Sequence, residues 1–79
     1  MTVRVLIVDD EPWARHRIAT LLKTEPDVEL AGECRGGAEA IERIAELHPD
    51  LVFLDVQMPE VDGFDVIEAI GTEYMPLVI

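Results

Sequence analysis

Apolar residues run unbroken from Val5 to Val8 and again from Leu51 to Leu54, each run closing on aspartate. Short runs of this kind, rich in β-branched residues, are the pattern of strands covered on both faces. They predict strands over Val3–Val8 and Leu51–Leu54. Between them the spacing becomes helical. Glu11-Pro12 opens a helix, with proline at a first-turn position where its missing N–H costs little. Its inward face is expected to carry Ala14, Ile18, Leu21 and Leu22, with Trp13 partly buried, while Arg15, His16, Arg17 and Lys23 face water. Thr24 to Asp27 breaks this helix, and Val28–Cys34 alternates moderately, as a shorter and more exposed strand does. Gly36-Gly37 leads into a second helix with Ala38, Ile41, Ile44, Ala45 and Leu47 inward, stopped by Pro49. After a loop from Val56 to Val61, Asp62-Gly63 introduces a third helix with Phe64, Ile67 and Ile70 inward. Gly71-Thr72 ends it, and a fourth strand begins near Met75 or Leu77. Strands alternating with helices in this way predict a parallel sheet with right-handed crossovers.

That topology gives the acidic residues their meaning. If the first and third strands are parallel neighbours, Asp9, Asp10 and Asp55 emerge together beyond the carboxyl ends of the strands, where binding loops of such sheets lie. Like charges packed this closely repel unless a cation sits among them or one is protonated. The arrangement suggests a divalent-cation pocket with one carboxylate available as a nucleophile. Singly, each aspartate would pass for an ordinary solvated loop residue. Asp62 reads as a helix cap and Gly63 as a residue serving backbone geometry.

The chain has 79 residues, one small domain at most, with six basic against seventeen acidic residues and a net charge of -11. That balance argues against nucleic acid or an anionic membrane as a direct partner of this segment. The longest apolar runs, of four residues, fall far short of the ~20 needed to span a bilayer, and early charges argue against a signal peptide. Cys34 is the only cysteine, so the chain has no internal disulfide and no thiolate cluster, and a cytoplasmic location is expected. Cys34 is read as a small buried apolar residue. His16 is expected on a solvated helix face and His48 near a helix C-terminus. Gly32 to Gly37 lacks the spacing of a dinucleotide loop.

Taken together, Asp9-Asp10 after the first strand, Asp55 after the third, and the run Asp55-x-x-Met58-Pro59-x-x-Asp62-Gly63 resemble the receiver domain of two-component response regulators. The Glu11-Pro12-x-Ala14-Arg15 helix start and Gln57 are similar to receivers of the LytTR class. The resemblance covers essentially the whole chain. It implies a flavodoxin-like (CheY-like) doubly wound α/β fold with strand order 2-1-3-4. Asp55 would accept a phosphoryl group from a sensor histidine kinase. Asp9, Asp10, Asp55 and the backbone carbonyl of Gln57 would hold Mg²⁺, an ion that prefers hard oxygen ligands. Met58, Pro59, Asp62 and Gly63 would shape the adjoining loop.

The same resemblance implies what is missing. Receivers carry a Ser or Thr after strand four and a Lys after strand five. The apolar ending Pro76-Leu77-Val78-Ile79 reads as a strand cut short, so residues 1–79 are expected to be a receiver incomplete at its C-terminus. Strand five, helices four and five and a DNA-binding output domain would lie beyond it. An apolar face and strand edge left uncovered favour pairing with another chain, and a homodimer, a domain-swapped oligomer or a partly unfolded chain is expected. Two other functions fit parts of the pattern. A Mg²⁺-dependent phosphatase of the haloacid dehalogenase type also uses a strand-end Asp, but wants a second Asp where this chain has Gln57. A pseudo-receiver would bind partners without phosphorylation.

Overall fold

The computed structural model describes residues 2–55, 63–70 and 77–78. Its elements follow in the order β1 (Val3–Val8), α1 (Pro12–Leu22), β2 (Val28–Cys34), α2 (Gly37–Leu47), β3 (Leu51–Leu54), α3 (Gly63–Ile70) and β4 (Leu77–Val78). The strands form one sheet in the order β2-β1-β3-β4, every pairing parallel. This is the flavodoxin-like order expected from the sequence. The loop expected from Val56 to Val61 and the expected end of the third helix at Gly71-Thr72 lie outside the described residues.

β1 is central and apolar on both sides: Val5, Leu6 and Ile7 are fully buried and Val8 nearly so. Alternation along a strand sends successive side chains to opposite faces. Leu6 and Val8 accordingly join Val52 and Leu54 of β3, Cys34 of β2, Ala40 and Ile44 of α2 and Val66 of α3 in one core cluster. Val5 and Ile7 are buried on the other face, the side of α1.

The pairing of β1 with β2 holds a register shift. Val5 pairs with Leu30, but Leu6 pairs with Gly32, skipping Ala31. Because the side-chain period of a strand is two, a slip of one residue exchanges its faces. Past the shift Cys34 shares a face with Val8 and enters the core, while Glu33 shares a face with Ile7, toward α1. Cys34 is fully buried, as expected, and burial pushes its thiol up to about 12.

Two helix faces differ from the sequence expectation. In α2 the buried residues are Gly37, Ala40 and Ile44, with Ile41 and Leu47 partly buried against the same core. Ala38 and Ala45 are exposed. The stripe 37, 40, 41, 44, 47 is one face of a 3.6-residue period, and the two alanines sit at its margin. In α1 the half-buried residues are Ala14, Arg15, Ile18, Ala19 and Leu22. Leu21 is 67% and Trp13 74% exposed, so neither packs inward, and Arg15 does not face water. His16, Arg17 and Lys23 are exposed as expected. In α3, Ile67 packs against the core as expected and Val66 is fully buried; the side chains of Phe64 and Ile70 lie outside the described part.

The C-terminus of α2 is tied to the start of β1. Arg4 donates from Nη1 to the carbonyls of Leu47 and His48, and its backbone N–H donates to Asp50 Oδ2 at 2.9 Å. A cation on terminal helix carbonyls satisfies acceptors that the helix cannot and complements its dipole. His48 itself takes the left-handed conformation (φ 47°, ψ 58°) that ends the helix. Arg4→Ala is expected to destabilise the fold by about 1 kcal/mol, read as a Tm lower by roughly 4–8 °C in a domain of this size.

Candidate functional site

The parallel ladder runs one residue beyond each strand, and it delivers the acids. The backbone N–H of Asp9 donates to Cys34 O at 3.0 Å, and that of Asp55 donates to Val8 O at 3.0 Å. Both residues are thus seated by backbone bonds at the same edge of the sheet, and Asp10 follows at the turn into α1. Ligand oxygens of Asp9, Asp10 and Asp55 all lie within 4.8 Å of one another. Asp9 and Asp55 are half-buried and Asp10 exposed. A cleft of about 280 Å³ beside them is lined by Val8, Asp9, Ile18, Phe53, Leu54 and Asp55.

Asp9 is held through both its side chain and its backbone. Its Oδ1 accepts the backbone N–H of Glu11 at 2.9 Å, turning the chain toward α1. Glu11 in turn caps α1, its carboxylate accepting from Trp13 N at 3.4 Å, with Pro12 at the first turn. The backbone carbonyl of Asp9 accepts from Arg15 Nη1 at 2.6 Å. Arg15 Nε lies 3.6 Å from Glu33 Oε1, so one side chain of α1 links the acidic turn to β2. Helical spacing assigns Arg15 to the solvated face; the register shift in β2, which turns Glu33 toward α1, gives it a second acceptor beside the Asp9 carbonyl. Hydrophobic alternation does not reveal such a slip.

Burial raises the pKa of the Asp9 carboxyl above its ordinary 3.8; the Glu11 N–H opposes this, while the Asp55 and Asp10 charges and a hydrogen bond with the Asp55 side chain add to it. The folded chain therefore holds this proton more tightly than the unfolded chain does. Asp9's contribution to stability falls as pH rises from 3.8 through the raised value. Asp9→Asn, which cannot ionise, is expected to melt higher than the parent in chelator, with a gap that widens as pH rises from about 4 to 7. Thermal melts across that range check it; a gap that stays constant or narrows would show that folding does not raise the Asp9 pKa.

Of the other residues marked in the sequence, Gly63 opens α3, while Gln57, Met58, Pro59 and Asp62 lie outside the described residues. Among the described residues no helix is long and apolar enough to cross a membrane.

Known proteins share this architecture. The chain is 42% identical over 77 residues to the transcriptional regulatory protein BtsR of Salmonella typhi, covering 98% of this chain and 32% of that protein. BtsR of Escherichia coli K12 is 39% identical over the same length, with the same coverage. The chain thus spans about a third of the length of these curated relatives. Among solved structures, the response regulator domain of Thermotoga maritima CheB superposes with a TM-score of 0.89 at 32% identity, covering 99% of this chain and 58% of that one. The receiver domain of the response regulator NarL from Mycobacterium tuberculosis gives 0.88 at 36% identity, covering 98% and 63%. Residues 5–79 match the response regulator receiver domain as a family, and with three acids gathered at the carboxyl edge of a β2-β1-β3-β4 sheet, the chain belongs to that family.

Proposed function

We propose that this chain receives a phosphoryl group on Asp55 from the phosphohistidine of a sensor kinase, in the presence of Mg²⁺. The observation that carries the reading is the convergence of Asp9, Asp10 and Asp55 oxygens within 4.8 Å at one sheet edge. A set of hard carboxylate oxygens, too acidic to be comfortable without a counter-charge, fits a small divalent cation. Asp9 and Asp10 would hold it together with Asp55 and the backbone carbonyl of Gln57. When bound, Mg²⁺ offsets the charge of an anionic nucleophile meeting an anionic phosphoryl group.

The chain's own part is positioning. Asp55 is fixed by its backbone bond to Val8 O, at the mouth of a cleft whose wall includes Ile18 and Phe53. Its carboxylate oxygen forms the new O–P bond as the N–P bond of the donor breaks, and the electron pair leaves with the imidazole. Such transfer depends on alignment and electrostatics more than on covalent chemistry by the protein. Met58, Pro59, Asp62 and Gly63 are assigned to shaping the loop that follows Asp55. A sensor kinase as donor sets the reaction in the cytoplasm.

The Glu11-Pro12-x-Ala14-Arg15 start of α1 supports a LytTR-class receiver, one that controls a C-terminal DNA-binding output domain. The transcriptional regulators similar to this chain support the same placement. The test is direct: titrate Mg²⁺ calorimetrically, then follow intact mass with Mg²⁺ and a small phosphodonor. Saturable binding and a gain of one phosphoryl group are expected. Binding without any gain, in folded protein, would leave a phosphorylation-independent interaction module, and neither would reject the reading.

A further inference from the structure

Three hydrogen-bonding groups of Asp9 are each engaged by a separate partner. Its N–H goes to Cys34 of β2, its Oδ1 takes the Glu11 N–H, and its carbonyl takes Arg15 Nη1 at 2.6 Å. Of these, the Arg15 contact alone depends on a long side chain, and that side chain is only 13% exposed. A guanidinium is a rigid planar fork, able to hold two acceptors in fixed relation. Here it spans the Asp9 carbonyl and Glu33 Oε1 at 3.6 Å. Glu33 can be reached only because the register shift after Leu30 turns it toward α1.

We infer that Arg15, oriented by Glu33, is a positioning residue for the cation site: by fixing the Asp9 carbonyl it sets where the Asp9 and Asp10 carboxylates project. This rests on the proposed role of those acids in holding Mg²⁺. Arg15 touches neither the cation nor the phosphoryl group in this assignment. It acts through the backbone of Asp9.

The inference has a sign that a simpler reading does not share. Arg15 is a positive charge beside an acidic cluster, so through charge alone it opposes cation binding, and removing it would tighten Mg²⁺. Through position it favours binding, and removing it loosens Mg²⁺. The two effects point in opposite directions, so one titration separates them.

The experiment is calorimetric Mg²⁺ titration of the whole chain and of Arg15→Ala, Arg15→Lys, Glu33→Gln and Asp9→Asn, with circular dichroism to show that each is folded. Arg15→Ala is expected to weaken Mg²⁺ binding about tenfold, a change of about 1.4 kcal/mol. Arg15→Lys keeps the charge and loses the fork, and should weaken it several-fold; Glu33→Gln should show a smaller loss. In the Asp9→Asn background the loss on Arg15→Ala should shrink but not vanish, because the carbonyl of residue 9 still sets where Asp10 projects. Tighter binding by Arg15→Ala, unchanged binding by Arg15→Lys, or full additivity with Asp9→Asn would each overturn the inference. If Arg15→Ala does not fold, Arg15→Lys and Glu33→Gln decide it. Failure of the underlying reading looks different: the parent chain would then bind no Mg²⁺, or Asp9→Asn would bind it as well as the parent.

Discussion

Asp55→Asn is expected to abolish phosphoryl uptake while leaving the fold intact. The amide is nearly the same size as the carboxylate, and Asp55 is held in place by its backbone N–H to Val8 O, which the substitution does not touch. What it removes is the nucleophile: an amide oxygen does not form a stable acyl phosphate, and one of the three oxygens clustered within 4.8 Å loses its charge. Intact mass after incubation with Mg²⁺ and a small phosphodonor should show one added phosphoryl group on the parent and none on the variant. A rate loss beyond about 10³-fold is expected, since removing a nucleophile leaves only background transfer. The variant should also melt no lower than the parent in chelator, because one member of a mutually repelling set has been neutralised. Equal labelling of both proteins would place the acceptor elsewhere and withdraw Asp55 from the role. A variant that is unlabelled but also unfolded would contradict the claim that backbone bonds seat this residue.

The site was legible in the sequence because its logic is one of strand ends. Two buried strands can be recognised from unbroken apolar runs, and the residue that ends such a run in a parallel sheet must surface at the carboxyl edge. Asp9, Asp10 and Asp55 needed no further information to be brought together. Arg15 was not legible for the opposite reason. Its place depends on a one-residue slip between β1 and β2 at Ala31, and a strand that alternates only moderately looks the same with or without a slip. Once Glu33 faces α1, a long cationic side chain on that helix has an acceptor on the sheet and another on the Asp9 carbonyl, and an arginine that helical periodicity assigns to water turns inward. Trp13 and Leu21 differ for another reason: helical spacing puts Leu21 beside Leu22 on the inward stripe, yet Ala14, Ile18 and Leu22 occupy that face and leave both larger side chains exposed.

The α2 face offers the sharpest test of packing, because the sequence and the structure assign its small residues differently. Ile44 is 1% exposed and meets the cluster of Leu6, Val8, Cys34, Val52 and Val66. Ile44→Ala is expected to cost about 2–5 kcal/mol, the lost transfer energy plus the cavity left behind. A 79-residue chain holds only roughly 4–12 kcal/mol in total, so the variant should melt at least about 10 °C lower and populate unfolded chain at modest denaturant. Ala40, fully buried beside it, has no room to grow, and Ala40→Leu should cost about 1–3 kcal/mol through overpacking. Ala38 and Ala45 were expected inward from their spacing but are exposed. Ala45→Leu should therefore stay within about 0.5 kcal/mol of the parent. Urea melts of the three variants decide between the two faces. If Ala45→Leu were as damaging as Ala40→Leu, the helix would be rotated toward the face that simple apolar spacing suggests. The core beneath β1 would then be packed by a different stripe, and the 37, 40, 44 assignment would fall with it.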